Sequence, residues 1–285
     1  MKDMQSEMMS KHDKIKITVL ILLWIAVFSP IYPELFRDWF GNPDNSHALI
    51  VPFISLYFIL QNKGDLIKTS IGTSAWGAGL LTASMIAYVT CYAGALVFPS
   101  RFVMISSLFG LTWFCLGTGF IRILAFPIAF LLFMIPVPYS LIDVVSMPLQ
   151  LMVTTISADL IGNCSIPVYR EGNMLYFMNT QLEVAEACSG IRSLIAMTML
   201  STMFCYLSKG GIWRKLFLIL MAIPIALLAN IVRVTGTGVL AHFYGDKVAK
   251  GFLHEFSGIA VFVFGFILLF ILFTILNRKK RDDFQ

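Results

Sequence analysis

The fold is decided by an uncharged apolar run near the end of the chain, FSGIAVFVFGFILLFILFTIL at residues 256–276. Its length matches the ~20 residues that an α-helix needs to cross a bilayer. Seven further apolar runs, each bounded by charge, Pro or Gly, bring the number of candidate membrane spans to eight. They lie at about 17–35, 46–61, 74–97, 102–120, 122–137, 190–207 and 215–235.

The composition of the whole chain agrees with this pattern. Of 285 residues, 58% are hydrophobic and 13% are charged, and the mean hydropathy is +0.82. A soluble fold is excluded, because soluble domains carry about 25% charged residues. We therefore predict an all-α polytopic membrane protein, with one integral-membrane domain over 1–285 and the lipid bilayer as its surroundings. The net charge of +5 comes from residues beside apolar runs, so we expect no nucleic-acid partner.

The distribution of charge predicts the orientation. With eight crossings, 14 of the 21 Lys and Arg residues fall on the side of the two termini. By the positive-inside rule, the N-terminal segment 1–16 and the basic tail 277–285 are expected in the cytoplasm. Ten of the 16 acidic residues then fall on the outer side.

The largest outer segment, 138–189, is too polar to span and too apolar to be a free loop. Its first part, 141–152, mixes apolar residues with Asp, Ser and Gln, which predicts an interfacial amphipathic helix. The stretches 174–177 and 181–184 flank a turn centred on Asn179 and predict a short β-hairpin.

Cys188 follows this hairpin, where the sixth span begins. A helix N-terminus lowers the pKa of a thiol, and Arg192 lies one turn further along the helix. Cys188 is therefore a candidate nucleophile, and Arg192 could pair with the thiolate or with an incoming carboxylate. A disulfide between Cys188 and Cys164 is the alternative. The five cysteines include no CxxC pair, so we expect no metal site and no cofactor.

Four more polar residues lie at positions where a polar side chain is energetically costly or suggests a function. Arg233 lies in the seventh span, with Asn230 three residues before it on the same helix face. An arginine within a span usually faces a polar cavity or partner, although this one could also snorkel to the headgroups. His254 begins the eighth span, so a Cys, an Arg and a His can converge as nucleophile, charge stabiliser and base. His47 opens the second span and could contribute another polar group.

At four places the chain resembles the exosortases, within the exosortase/archaeosortase group of multi-pass sorting enzymes. The order and spacing of these places agree over roughly residues 20–276. The four are ACSGIRS at 187–193, ANIVRV at 229–234, His254 with Gly258, and SH at 46–47 before VPF at 51–53.

The resemblance implies that Cys188 is the nucleophile, Arg233 the stabilising arginine and His254 the acid/base. Arg192, Asn230 and His47 are our candidates for contacts with the substrate. The implied activity is that of a cysteine protease or transpeptidase on the outer, periplasmic side of the bacterial cytoplasmic membrane. Its implied partners are exported proteins that carry a C-terminal Pro-Glu-Pro motif, a membrane span and a basic cluster.

Some members of the family carry an extra soluble domain after the last span. This chain ends at Gln285 without one, so an activity that needs such a domain is expected to come from a separate accessory protein.

Two other functions remain open from the sequence. Intramembrane Arg and Asn beside glycines also suit a transporter or flippase for an envelope polymer or a lipid-linked sugar. A non-catalytic scaffold would follow if Cys188 were bridged to Cys164.

Overall fold

The computed structural model describes residues 11–178, 180–184, 190–245 and 252–278 of the chain. They are mostly helical and belong to two compact units, Met1–Pro138 and Tyr139–Gln285, each described by itself. The expectation of a single domain stays a prediction. The first unit contains α1 (Lys11–Val27), α2 (Tyr32–Gly41), a 3-10 helix (Pro43–Leu49), α3 (Val51–Gln61), α4 (Lys63–Lys68), α5 (Ala75–Ala93), α6 (Val97–Phe130) and a second 3-10 helix (Leu131–Met134).

The first predicted span, 17–35, is bent. Helix α2 leaves the direction of α1 by 70°, after a turn that contains Pro30. Proline cannot donate the hydrogen bond that would continue α1, whereas Pro33 suits the first turn of α2. The end of α1 is tied to α5, since the Tyr88 hydroxyl donates to the carbonyl of Val27 at 3.1 Å.

Helix α2 is held by a buried arginine. Arg101 is only 4% exposed, and its Nη2 lies 2.7 Å from Oδ2 of Asp38. The next residue, Trp39, donates from Nε1 to the carbonyl of Met134 at 2.8 Å. This pair cannot be predicted from the sequence, because Arg101 stands in a loop between two predicted spans like other loop arginines.

These two contacts show that α6 reverses direction. In a continuous helix, Arg101 and Met134 would stand about 50 Å apart at 1.5 Å per residue, yet they contact the consecutive residues Asp38 and Trp39. The residue inside α6 with non-helical angles is Gly117, at φ 86° and ψ 179°. Two arms, 97–116 and 118–130, therefore fold back on each other at this glycine. A side chain is strained at such a φ, and a Cβ would stand 3.0 Å from the backbone of Gly72.

The first arm of α6 packs closely on α5 through two glycines. A Cβ on Gly77 would overlap the backbone of Phe114, and a Cβ on Gly110 would stand 2.7 Å from the nitrogen of Leu81. Small residues at such crossings let two helix backbones approach, which is how helices commonly associate in membranes.

Gly77→Ala is therefore expected to destabilise the protein by about 1–3 kcal/mol, because the new methyl group pushes against backbone that cannot move aside. Gly79→Ala is the matched control on the same helix, since nothing lies within 4 Å of its Cβ position. Unfolding of both variants in mixed detergent micelles, titrated with dodecyl sulfate, measures the difference. Equal stability of the two variants would contradict the close approach of α5 and α6.

The described part of the second unit contains four helices and a small sheet. Helices α8 and α9 are antiparallel, since Ser201 and Cys205 donate to the carbonyls of Leu218 and Lys215 at 2.7 and 3.0 Å. The described elements of the second unit are α7 (Tyr139–Asn163), β1 (Tyr169–Glu171), β2 (Met174–Tyr176), β3 (Gln181–Glu183), α8 (Gly190–Leu207), α9 (Ile212–Tyr244) and α10 (Phe252–Arg278).

The predicted β-hairpin is confirmed in β2 and β3, which pair antiparallel with Leu175 opposite Leu182. The alternation of buried and exposed residues along the two strands accounts for this register, because both leucines point to the buried face. Strand β1 was not predicted and pairs with the other edge of β2. The predicted turn residue Asn179 lies outside the described residues.

Helix α7 corrects the prediction of a short interfacial helix at 141–152. It is 25 residues long, and Ser140–Asn163 is long and apolar enough to cross a membrane. Ser146, Thr154 and Ser157 are buried, whereas Val144 and Met147 are 72% and 55% exposed. These three polar residues therefore point into the unit, which is typical of a helix surrounded by lipid.

The predicted count of eight spans is not confirmed. Within the described ranges, four helices are long and apolar enough to cross a membrane, or five if the bent pair of α1 and α2 forms one span. The predicted spans 102–120 and 122–137 correspond to the two arms of α6. Both arms belong to Val97–Met134, which is one of the four candidate helices. Those at 46–61 and 190–207 fall on shorter apolar helices, Asn45–Gln61 and Arg192–Leu207. The charge-based orientation depends on the count and stays a prediction.

Candidate active site

Helix α9 is the centre of the second unit, because α7, α8 and α10 all pack on it. Its buried residues recur every three or four positions and are mostly small, which allows close packing. These residues are Leu218, Ala222, Ala226, Ala229, Asn230, Val234, Gly238 and Ala241.

Arg233 projects from α9 toward the beginning of α10. Its Nη2 lies 3.8 Å from the point where a Cβ on Gly258 would stand. His254 is four residues before Gly258 on the same helix, so the two positions lie one turn apart on one face. The structure therefore places the Arg233 guanidinium beside the helical turn that carries His254, whose side chain lies outside the described part of the chain.

Cys188 lies outside the described residues. The described residue Val184, four positions earlier, is fully buried and belongs to the same apolar cluster as Val234. Its backbone N–H also donates to the carbonyl of Asn173 at 3.0 Å, which ties it to the turn between β1 and β2. The last described residue before Cys188 therefore lies in the apolar cluster that includes Val234, the residue after Arg233, and α8 begins at Gly190.

The sheet itself is fixed to α9. A Cβ on Gly238 would stand 2.6 Å from Cδ1 of Ile161 and 3.1 Å from Cζ of Phe177. Glycine at this position lets Phe177, which follows β2, lie directly against α9. The sheet and the helix that carries Arg233 therefore share one apolar core.

Asn230 is buried, with 6% of its surface exposed, and lines a small cavity between α7, α8 and α9. Two α7 residues, Ser146 and Gln150, line the same cavity. The sequence analysis does not identify either as a site residue, because polar residues mixed with apolar ones at 141–152 predict an interfacial helix. Their spacing of four in an otherwise apolar helix was the available signal.

Arg192 and His47 belong to different units of the chain. Arg192 is exposed on the first turn of α8, and its role toward the substrate stays a prediction. His47 is half-buried in the 3-10 helix Pro43–Leu49 of the first unit, and its contribution also stays a prediction.

The alternative, a disulfide between Cys188 and Cys164, is not supported by the state of Cys164. Cys164, just after α7, is a free and exposed thiol. Among the residues that the structure describes, no group of three His, Cys, Asp or Glu side chains could hold a metal ion.

These features define an all-α, multi-pass membrane protein with polar side chains gathered inside one helical unit. A model of the transmembrane exosortase family (Exosortase_EpsH) matches residues 39–271. The chain therefore belongs to the transmembrane exosortase family, as its four motifs imply. No curated protein and no solved structure matches the chain.

Proposed function

We propose that the chain is a membrane-embedded cysteine protease or transpeptidase that cleaves C-terminal sorting signals of exported proteins. The observation that carries the proposal is the approach of the Arg233 guanidinium to Gly258, one turn from His254. A guanidinium inside an apolar helix is typical of a functional site. Its fork of N–H donors can stabilise the oxyanion of a peptide-bond cleavage beside a histidine.

The first chemical step is acylation of the enzyme. Cys188 gives its proton to His254, and the thiolate sulfur attacks the carbonyl carbon of the scissile peptide bond. The carbonyl oxygen becomes an anion, which Arg233 stabilises. The C–N bond then breaks, His254 returns the proton to the leaving amine, and a thioester on Cys188 remains.

The second step releases the substrate from Cys188. Attack of water on the thioester gives a carboxylic acid and makes the protein a protease. Attack of an amine gives a new amide and makes it a transpeptidase. No cofactor is needed for either route.

The proposed substrate is an exported protein whose tail carries a Pro-Glu-Pro motif, a membrane span and a basic cluster. Arg192 is the proposed cation for the motif's glutamate, since Arg233 is committed to the oxyanion. Asn230 and His47 are the further proposed contacts. The proposed location is the bacterial cytoplasmic membrane, with both termini in the cytoplasm, the site on the outer side, and a separate accessory protein where a soluble domain is required.

An exported reporter with this tail tests the function in cells. We expect the reporter to become shorter on a blot when it is expressed with the wild-type chain, and to keep its length with Cys188→Ala. Cys164→Ala is the matched control, because it removes an exposed thiol of the same unit. A tail with Pro-Gln-Pro should be shortened less if Arg192 reads the glutamate.

The other outcomes separate the alternatives. An unshortened reporter, with all proteins inserted in the membrane, would contradict the protease and favour the transporter or flippase. Protection of Cys188 from alkylation in the non-reduced protein would favour the scaffold, since a bridged thiol cannot react.

A further inference from the structure

The cavity beside Asn230 is built from three helices of the second unit. It has a volume of about 20 Å³, which is room for one water molecule or one projecting oxygen atom. Its lining residues are Ser146, Leu149 and Gln150 of α7, Leu194 of α8, and Ala226, Leu227 and Asn230 of α9.

The polar side chains of this cavity have no partners within the described part of the chain. Asn230 and Ser146 are 6% and 8% exposed, and Gln150 is half-buried. No hydrogen bond joins any of the three side chains to another described residue. Polar groups that face a cavity without a protein partner favour a ligand that completes their hydrogen bonds, and these three side chains line one cavity.

The chemistry of the cluster indicates a neutral ligand. A hydroxyl and two carboxamides each both donate and accept hydrogen bonds, and none of the described lining residues is charged. An ion or a phosphate would find no counter-charge among them. The carbonyl oxygen of a peptide group is the matching ligand, since the cavity has room for one oxygen atom, which can accept from the hydroxyl or from a carboxamide.

The position of the cluster relates it to the proposed cleavage. Asn230 precedes Arg233 by three residues, so it lies about 4.5 Å further from the sheet along α9. A substrate tail must unwind to expose its scissile bond, and backbone groups freed within a membrane need new partners. With the site on the outer side as proposed, the cavity lies on the membrane side of Arg233 along α9, which is the direction of the tail's own span.

We propose that Ser146, Gln150 and Asn230 form a subsite that binds a peptide group of the unwound substrate, on the leaving-group side of the scissile bond. The subsite rests on the proposed function. Ser146 and Gln150 are its new members, and the carbonyl oxygen of the peptide group is the atom that enters the cavity.

Gln150→Leu tests the subsite in the detergent-purified full chain with a synthetic tail peptide. We expect KM to rise about fivefold to tenfold, the worth of one neutral hydrogen bond, with kcat within twofold of the wild type. Stability toward dodecyl sulfate should hold or rise, because the substitution removes an unpaired polar group. Thr155→Val is the control, since Thr155 is an exposed polar residue of α7.

Photocrosslinking gives a second readout that does not depend on cleavage. A benzophenone amino acid at position 150, in Cys188→Ala protein, should capture the tail, whereas the same probe at position 155 should not. Unchanged KM, or lower stability of Gln150→Leu, would overturn the subsite and indicate a permanently bound water.

The failures of the two proposals are distinguishable. Cleavage that depends on Cys188 but is indifferent to Gln150, without a crosslink at 150, overturns the subsite alone. Absence of any Cys188-dependent cleavage overturns the proposed function, and then a crosslink at 150 still supports peptide binding while its absence refutes it.

Discussion

Cys188→Ala is expected to lower kcat for cleavage of the tail peptide by about 10⁴–10⁶-fold, the range found when a protease loses its nucleophile. The loss is large because no other group can form the acyl-enzyme. The KM should change little, since alanine removes no contact made before the attack. The described neighbour Val184, packed in one cluster with Val234, brings this part of the chain to the helix of Arg233.

Mass spectrometry of the intact purified protein supplies the direct test. Wild-type protein with substrate should carry an acyl adduct on Cys188 that hydroxylamine removes, as expected for a thioester. Cys164→Ala should form the same adduct at the same rate, because Cys164 is merely an exposed thiol of the same unit. Formation of the adduct in Cys188→Ala would show that another residue is the nucleophile.

Arg233→Lys is expected to lower kcat by about 10²–10³-fold, the usual cost of removing one oxyanion-hole donor. Lysine keeps the positive charge but loses the planar fork of donors that reaches across to Gly258. A simple membrane anchor would behave differently, because lysine snorkels as well as arginine does. The conservative substitution therefore separates the two roles of Arg233.

Arg170→Lys is the control for this substitution. Arg170 is an exposed arginine of β1 in the same unit, where its Nη1 donates to the carbonyl of Gly172 at 3.2 Å. We expect its kcat to stay within twofold of the wild type. An Arg233→Lys enzyme that retained full kcat would assign Arg233 to anchoring, and the oxyanion would need another donor.

Elements with a local pattern could be predicted from the sequence. The strands β2 and β3 follow from alternating residues, and the helical character of the apolar runs follows from their length and composition. The closeness of Arg233 to the turn of His254 follows from their places at the ends of consecutive apolar runs. Each inference needs information from one segment or from its chain neighbour.

Features that depend on three-dimensional packing could not be predicted. The reversal at Gly117 requires one residue with a positive φ, and the chain has many glycines in similar apolar surroundings. The environment of α7 could not be predicted, because an amphipathic pattern does not show whether the polar face of a helix meets water or other parts of the protein. The cavity of Ser146, Gln150 and Asn230 exists only where three helices meet, so no single run could reveal it.

The reversal at Gly117 also bears on how the protein is synthesised. It keeps the first arm of α6 beside its chain neighbour α5, where Gly77 meets Phe114 and Gly110 meets Leu81 over fewer than about 40 residues of chain. Contacts this local close small loops and cost little entropy to form. The ribosome delivers these partners before any residue of the second unit, so the first unit can assemble in the bilayer while the remainder of the chain is still being translated.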